Sequence, residues 1–129
     1  MNGAHLVVRL GPQRVALPAA AIERVVRGLN ILPLPGAAAA TVGLAEFAGE
    51  PLAVVDLGHW LGVRRTRPAS SGLTVVARLG DARAGERLGL AVDEVLEVTA
   101  VSAAPDPGQV LVRGHAIRRV DLAALSGAA

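Results

Sequence analysis

The sequence contains no cysteine, no lysine and no tyrosine, and the lack of cysteine and of aromatic residues excludes several classes of function. Without cysteine the chain has no disulfide, no cysteine-ligated zinc site, no iron–sulfur cluster and no thiol nucleophile. One Trp and one Phe do not provide the stacking surface that single-stranded nucleic-acid binders use. All thirteen basic residues are arginine, and the net charge is only +2, so we expect no nucleic-acid partner.

The composition predicts one folded domain over residues 1–129, because 52% of the residues are hydrophobic and only 19% are charged. A folded monomer of this size buries about two thirds of the surface that its unfolded chain exposes. The uncharged run at residues 28–45 is long enough to span a membrane, but its prolines and glycines would break a membrane helix. The N-terminus lacks the pattern of a signal peptide. We therefore expect a cytoplasmic protein with no direct membrane insertion.

Short β-branched segments bounded by Gly and Pro predict an all-β fold in the first half of the chain. Residues 6–10 and 15–17 are typical of strands, and a short helical turn and a further strand are predicted after Pro18. Residues 42–47 and 52–55 flank a turn and predict a β-hairpin. The first half therefore predicts about five short strands.

The second half repeats this plan. Strands are predicted over Leu73–Leu79 and over residues 88–98, and a hairpin follows over residues 110–117. Each half ends in a short helical turn that begins at an aspartate, Asp56 or Asp121, where a capping carboxylate is expected. The predicted boundaries are residues 6–62 for subdomain 1, 63–72 for a solvated linker and 73–125 for subdomain 2, with exchange of strands between the halves left open.

No group of residues in the sequence predicts a catalytic, cofactor or metal site. His5, His59 and His115 lie more than fifty residues apart, without the spacing of metal ligands, and are predicted to be exposed at strand ends and turns. Asp56 and Asp121 are better explained as helix caps than as a catalytic pair. No nucleophile elbow or phosphate-binding loop is present either. The sequence therefore favours a binding module and not an enzyme.

Several short segments carry a family resemblance, and residues 89–98 carry it most closely, with the pattern Gly-x-x-Val-Asp-x-Val-x-Glu-Val. The other segments are residues 6–11, 16–18, 22–25, 34–36, 43–49, 51–57 and 61–62. In this order they resemble the CheW-like domain, the adaptor module of bacterial chemosensory arrays. The resemblance extends over about residues 6–125.

The resemblance implies a fold and a function. The fold is two five-stranded SH3-like barrels packed through a shared hydrophobic core, with a short helical turn after each barrel. The implied function is a non-catalytic adaptor without cofactors. Its implied partners are the regulatory domain of a CheA-type histidine kinase, which has the same fold, and the cytoplasmic hairpin tip of a chemoreceptor.

The resemblance also implies candidate partner-binding residues. They are Ile22, Arg24, Val25, Glu46, Phe47, Ala48, Asp93, Glu94 and Glu97. Two of them depart from the family pattern, since Ala48 replaces the arginine of an Asn-Leu-Arg-Gly turn and Arg24 replaces the acid of a Val-x-Glu-Ile segment. Because these changes alter exposed side chains, they predict weakened receptor binding more than an altered fold.

Two further hypotheses stay open at this point. One is a divergent CheW-like protein that serves a pilus or gliding chemosensory pathway, or that localises to arrays, with weak receptor binding. The other is a small basic SH3-like barrel that binds RNA. A small hydrolase is the least favoured function, because no nucleophile and base pattern is visible.

Overall fold

The computed structural model describes residues 3–63, 72–80 and 86–125, which are mostly β-structure. The strands are β1 (Gly3–Leu10), β2 (Gln13–Pro18), β3 (Ile22–Arg27), β4 (Thr41–Phe47), β5 (Glu50–Asp56), β6 (Leu73–Leu79), β7 (Glu86–Val92), β8 (Glu94–Ala103), β9 (Gln109–Val112) and β10 (His115–Arg119). One α-helical turn, α1, spans Leu57–Trp60, and 3-10 turns span Ala19–Ala21 and Leu122–Leu125. The predicted helical turns are confirmed. Most of the predicted linker, residues 64–71, lies outside the described residues.

The strands form two five-stranded sheets, which confirms the predicted fold class. One sheet is a closed barrel in the order β1-β2-β10-β9-β8, and the other has the order β3-β6-β7-β5-β4. Each sheet takes strands from both halves of the chain, so strands are exchanged between residues 6–62 and residues 73–125. Four pairings join the halves: the antiparallel pairs β1–β8 and β3–β6, and the parallel pairs β2–β10 and β5–β7.

The second sheet is not closed by strand pairing, because its two edge strands, β3 and β4, are not paired with each other. The chain between them folds back beside β4, where Leu32 and Leu44 exchange two backbone hydrogen bonds of 2.8 Å. Gly43 permits this approach, since a Cβ atom there would lie 2.1 Å from the Leu32 carbonyl oxygen. Beyond this contact, a gap separates the end of β4 from β3.

A single cluster of buried side chains, here called the shared core, packs the two sheets together. Its members from the closed barrel include Leu6, Val8 and Leu10, and the other sheet contributes residues such as Leu88 and Leu90. Burying one such side chain contributes about 1.5–3 kcal/mol. The shared core confirms the packing that the family resemblance implied. A smaller cluster, comprising Val7, Ala16, Val101, Val110 and Val112, fills the closed barrel.

His5 corrects one prediction from the sequence, because its side chain is buried, with 3% of its surface exposed. Strand β1 pairs with β2 on one edge and with β8 on the other, so the end of β1 is covered. The buried ring accepts a hydrogen bond from Arg119 Nε through Nε2 at 3.1 Å, and its Nδ1 lies 3.2 Å from the Gly3 carbonyl oxygen. His59 and His115 are exposed, as predicted.

No described helix is long and apolar enough to cross a membrane. Within residues 3–63, 72–80 and 86–125, no three His, Asp or Glu side chains are grouped closely enough to hold a metal ion.

The interleaved sheets predict that neither half of the chain folds alone. A fragment of residues 1–66 would hold β1 and β2 without β8 and β10, and β3 to β5 without β6 and β7. We expect the fragments 1–66 and 67–129 each to give an unfolded NMR spectrum, and an equimolar mixture to give dispersed signals. A dispersed spectrum from either fragment alone would contradict the interdependence of the sheets.

Candidate functional site: an edge cleft and an apolar strand face

The structure places the nine predicted partner-binding residues on two surfaces. The first six lie on β3, on β4 and in the turn after β4, and therefore belong to the open sheet. Asp93, Glu94 and Glu97 lie at the bend before β8 and on β8, in the closed barrel. The sequence-predicted residues thus form two separate groups, on different sheets.

A cleft of about 560 Å³ occupies the gap between β3 and β4 and is called the edge cleft below. It is lined by Glu23, Arg24, Val25, Val26, Arg27, Glu46, Phe47, Ala48 and Arg87. Five of the predicted residues are in this lining. Ile22 is not, because its side chain packs against the shared core.

Phe47 provides an aromatic surface in the edge cleft. The guanidinium carbons of Arg24 and Arg87 lie 5.9 Å and 5.7 Å from the centroid of its ring. Both distances are in the range of cation–π attraction, which contributes about 0.5–1 kcal/mol at exposed sites. Arg24 forms no ion pair with any described residue.

Glu23 binds two arginines on neighbouring strands of the sheet. Its carboxylate accepts a hydrogen bond of 2.6 Å from Arg78 and lies 2.9 Å from Arg87 Nε. Hydrogen bonding to Arg78, and then to Arg87, holds the pKa of Glu23 below its ordinary value. The register of β3 against β6 shifts between Ile22 and Arg24, which is the irregularity that accommodates Glu23. In the family pattern the acid stands one position later, where this chain has Arg24. Here Glu23 forms ion pairs within the sheet.

Ala48 and Gly49 form the two-residue turn between β4 and β5. Their φ angles are +53° and +78°, and positive values at both positions are what a type I′ turn requires. The same conformation recurs between β9 and β10, where Arg113 and Gly114 have φ angles of +49° and +80°. Ala48 is exposed at the tip of its hairpin, so a longer side chain there would extend into solvent.

The three acidic candidates near β8 are engaged in contacts within the chain. The Asp93 carboxylate accepts a hydrogen bond of 2.5 Å from the Gly11 backbone N–H, and Arg9 donates one of 3.1 Å to Glu94. Glu97 accepts hydrogen bonds from Arg113, which lower the pKa of Glu97. These contacts fix β8 against β1 and against the β9–β10 turn.

Strand β8 carries two exposed apolar side chains that the sequence-based candidates missed. Leu96 and Val98 are 38% and 64% exposed, and we call them the β8 face. Val98 lies opposite Leu6 in the β1–β8 ladder, so it continues the sheet face that forms the shared core. The sequence indicates that Leu96 and Val98 are strand residues, because they continue the alternation of Leu88 and Leu90. It does not indicate that Leu96 and Val98 are exposed while Leu88 and Leu90 are buried.

The ion pairs of Glu23 predict a pH-dependent contribution to stability. Because the folded-state pKa lies below the ordinary value of 4.5, the contribution is present above pH 4.5 and is lost as the pH falls through the folded-state pKa. We expect Glu23→Gln to lower the urea midpoint at pH 7, and this difference to shrink at acid pH.

Glu46→Gln is the matched control for that measurement. Glu46 is exposed and forms no ion pair with a described residue, so its substitution should leave the midpoint nearly unchanged at either pH. A Glu23→Gln deficit of equal size at neutral and acid pH would show that the ion pairs are not its cause.

Comparisons with known proteins match both the sequence and the fold. Residues 4–119 match the family model of the CheW-like domain. The fold is similar to the crystal structure of the scaffolding protein TtCheW from Thermoanaerobacter tengcongensis, with a TM-score of 0.80 and 20% identity over 95% of this chain and 90% of that one. A search of curated proteins gave no match. Because the family model covers most of its length, the chain belongs to the CheW-like domain family.

Proposed function

We propose that this chain is a non-catalytic chemosensory adaptor, which binds the regulatory domain of a CheA-type histidine kinase and, more weakly, the hairpin tip of a chemoreceptor. Membership of the CheW-like family supports a scaffold or adaptor role in chemotaxis in general. The similar structure of TtCheW, described as a scaffolding protein, supports the same role. We propose a cytoplasmic location, with recruitment to receptor arrays by these partners.

The β8 face is the observation that supports kinase binding best. An apolar centre with a polar rim is the usual anatomy of a protein interface. Here Leu96 and Val98 form the centre, while Glu94 and Glu97 stand beside them, each held by an arginine of the chain. Since its backbone is paired with β1, the face is already ordered before a partner arrives, and binding loses little conformational entropy. A regulatory domain of the same fold could present a similar strand face.

The turn at Ala48 supports the weaker binding of a receptor. An arginine at this position would offer several fixed donors to acidic or carbonyl groups of a receptor, and the alanine methyl group offers none. This loss also favours the narrower hypothesis of a divergent adaptor in a pilus, gliding or array-localisation system. For each of these alternatives we propose the kinase domain as the principal partner.

The first test concerns the kinase partner. We expect Val98→Asp to weaken binding of the purified CheA-type regulatory domain by about tenfold or more, because a charge would be desolvated at the centre of the interface. Val42→Asp is the matched control, since Val42 is an exposed valine of β4 in the other sheet, and it should bind as the wild type does. Isothermal titration calorimetry measures both, and equal affinities for the two variants would contradict the proposal.

The second test concerns the receptor. A hydrogen bond to a charged partner contributes about 1.5–3 kcal/mol, so Ala48→Arg should strengthen binding of the receptor hairpin by about tenfold to a hundredfold. The thermal midpoint should change little, because Ala48 is exposed. Ala123→Arg adds the same charge at an exposed residue of the last 3-10 turn and should not strengthen binding. If both variants bind as the wild type does, the turn does not determine receptor affinity.

A further inference from the structure

We infer that Asp93 is the positioning residue of the β8 face, because its hydrogen bonds fix the register of β8 in which Leu96 is exposed. This role rests on the proposed function, since it concerns how the β8 face is presented to the kinase domain. It differs from the direct partner contact that the family resemblance implied for Asp93. Three observations carry it: a bulge in β8, the apolar residues on either side of that bulge, and the polar contacts of the bend before β8.

Leu96 is the extra residue of a β-bulge. Val8 lies opposite Val95, and Val7 lies opposite Glu97, so Leu96 is left over between two pairs of the β1–β8 ladder. A bulge changes the direction in which neighbouring side chains point. Val95 packs against the shared core, whereas Leu96 is 38% exposed. The position of the bulge therefore decides which of these two apolar side chains is available to a partner.

The apolar residues of β8 do not fix the position of the bulge by themselves. A shift of residues 94–96 by one position would place Leu96 opposite Val8 and would turn Val95 to the other face of the sheet. Leucine and valine are both apolar and similar in size, so the shared core accepts either side chain with a small difference in free energy. Another interaction must therefore select the observed register.

Asp93 supplies this interaction at the end of the ladder. Its carboxylate accepts a hydrogen bond of 2.5 Å from the Gly11 N–H, and its own N–H donates to the Arg9 carbonyl oxygen at 3.1 Å. The Asp93 side chain is only 14% exposed. A one-residue shift moves a strand by about 3.3 Å, which exceeds the tolerance of a hydrogen bond, so it would break both contacts.

Arg9 extends the same set of contacts to the first residue of β8. Its side chain donates to the Gly11 carbonyl oxygen at 3.0 Å and to the Glu94 carboxylate at 3.1 Å. Arg9 and Glu94 are also the first pair of the β1–β8 ladder at this end. Polar contacts thus hold the bend before β8 to the turn after β1, and Leu96 stands two residues beyond Glu94.

The register can be measured in the free full-length protein by nuclear Overhauser contacts across the ladder. Val95 is the partner of Val8 in the wild type, and we expect Leu96 to take this place in Asp93→Ala. Asp93→Asn should keep the wild-type pattern, because the amide oxygen accepts the same hydrogen bond. Asp93→Ser, whose side chain is one atom shorter, is the second variant and should shift as Asp93→Ala does. Wild-type pairing of Val8 in folded Asp93→Ala or Asp93→Ser overturns the inference.

A double-mutant cycle tests whether Asp93 acts through Leu96. We expect Asp93→Ala and Leu96→Ala each to weaken binding of the purified CheA-type regulatory domain by about tenfold, and the double variant by about tenfold as well. Isothermal titration calorimetry measures all three. A loss of about a hundredfold in the double variant would show that the two residues act independently, and it overturns the positioning role.

Asp106→Ala is the matched control. Its carboxylate also accepts a backbone hydrogen bond, from the Gly108 N–H at 2.8 Å, but in the exposed turn that follows β8. Its substitution should leave kinase-domain binding unchanged, and a loss equal to that of Asp93→Ala would contradict a role specific to Asp93.

The two proposals fail in different ways. If the wild type does not bind the kinase domain, the proposed function is wrong, while the register measured in the free protein still tests Asp93. If the wild type binds and folded Asp93→Ala binds equally well, the role of Asp93 is refuted and the adaptor function stands.

Discussion

Strand β1 is the constraint on which the rest of the structure depends, because it is buried on both faces and paired on both edges. Leu6, Val8 and Leu10 enter the shared core, and Val7 enters the closed barrel on the opposite face. The sequence of a strand buried on both faces is an almost continuous apolar run, and it lacks the alternation that is typical of a half-exposed strand. It joins the two sheets through side-chain packing and joins the N-terminus to β8 through backbone pairing.

The same architecture explains why the candidate binding surfaces lie at the margins of the two sheets. The shared core covers one face of each sheet, but β8 extends past this cover, which leaves Val98 exposed beside buried Leu6. The open sheet has a different margin, because its two edge strands, β3 and β4, are not paired with each other. Among the described residues, the chain between them pairs with β4 only where Leu32 meets Leu44. One margin offers apolar side chains, and the other offers backbone groups with an aromatic ring and arginines.

Local features of the sequence predicted much of the fold. Contacts between residues far apart in the sequence could not be predicted from it. The capping role of Asp56 is confirmed, since its carboxylate accepts a hydrogen bond from the His59 N–H at 3.2 Å, because capping depends on neighbouring residues. The burial of His5 depends on Arg119, at the other end of the chain, and no local pattern contains that contact. The alternation of β8 identified its apolar face, but exposure depends on which strands cover that face. Leu96 and Val98 were therefore missed, whereas Phe47 was a candidate through the family resemblance and not through strand alternation.

The long-range ladders of the closed barrel have a consequence for synthesis of the chain on the ribosome. Gly3 pairs with Val101, and β2 pairs with β10, so the first strands emerge long before their neighbours exist. Until then the apolar β1 has an unpaired edge, which is a surface prone to association with other chains. Folding of the closed barrel therefore completes only after β10 has emerged, and pairings of such high sequence separation form slowly. The interleaving that holds the finished fold together therefore leaves the incomplete chain with an unpaired apolar strand edge.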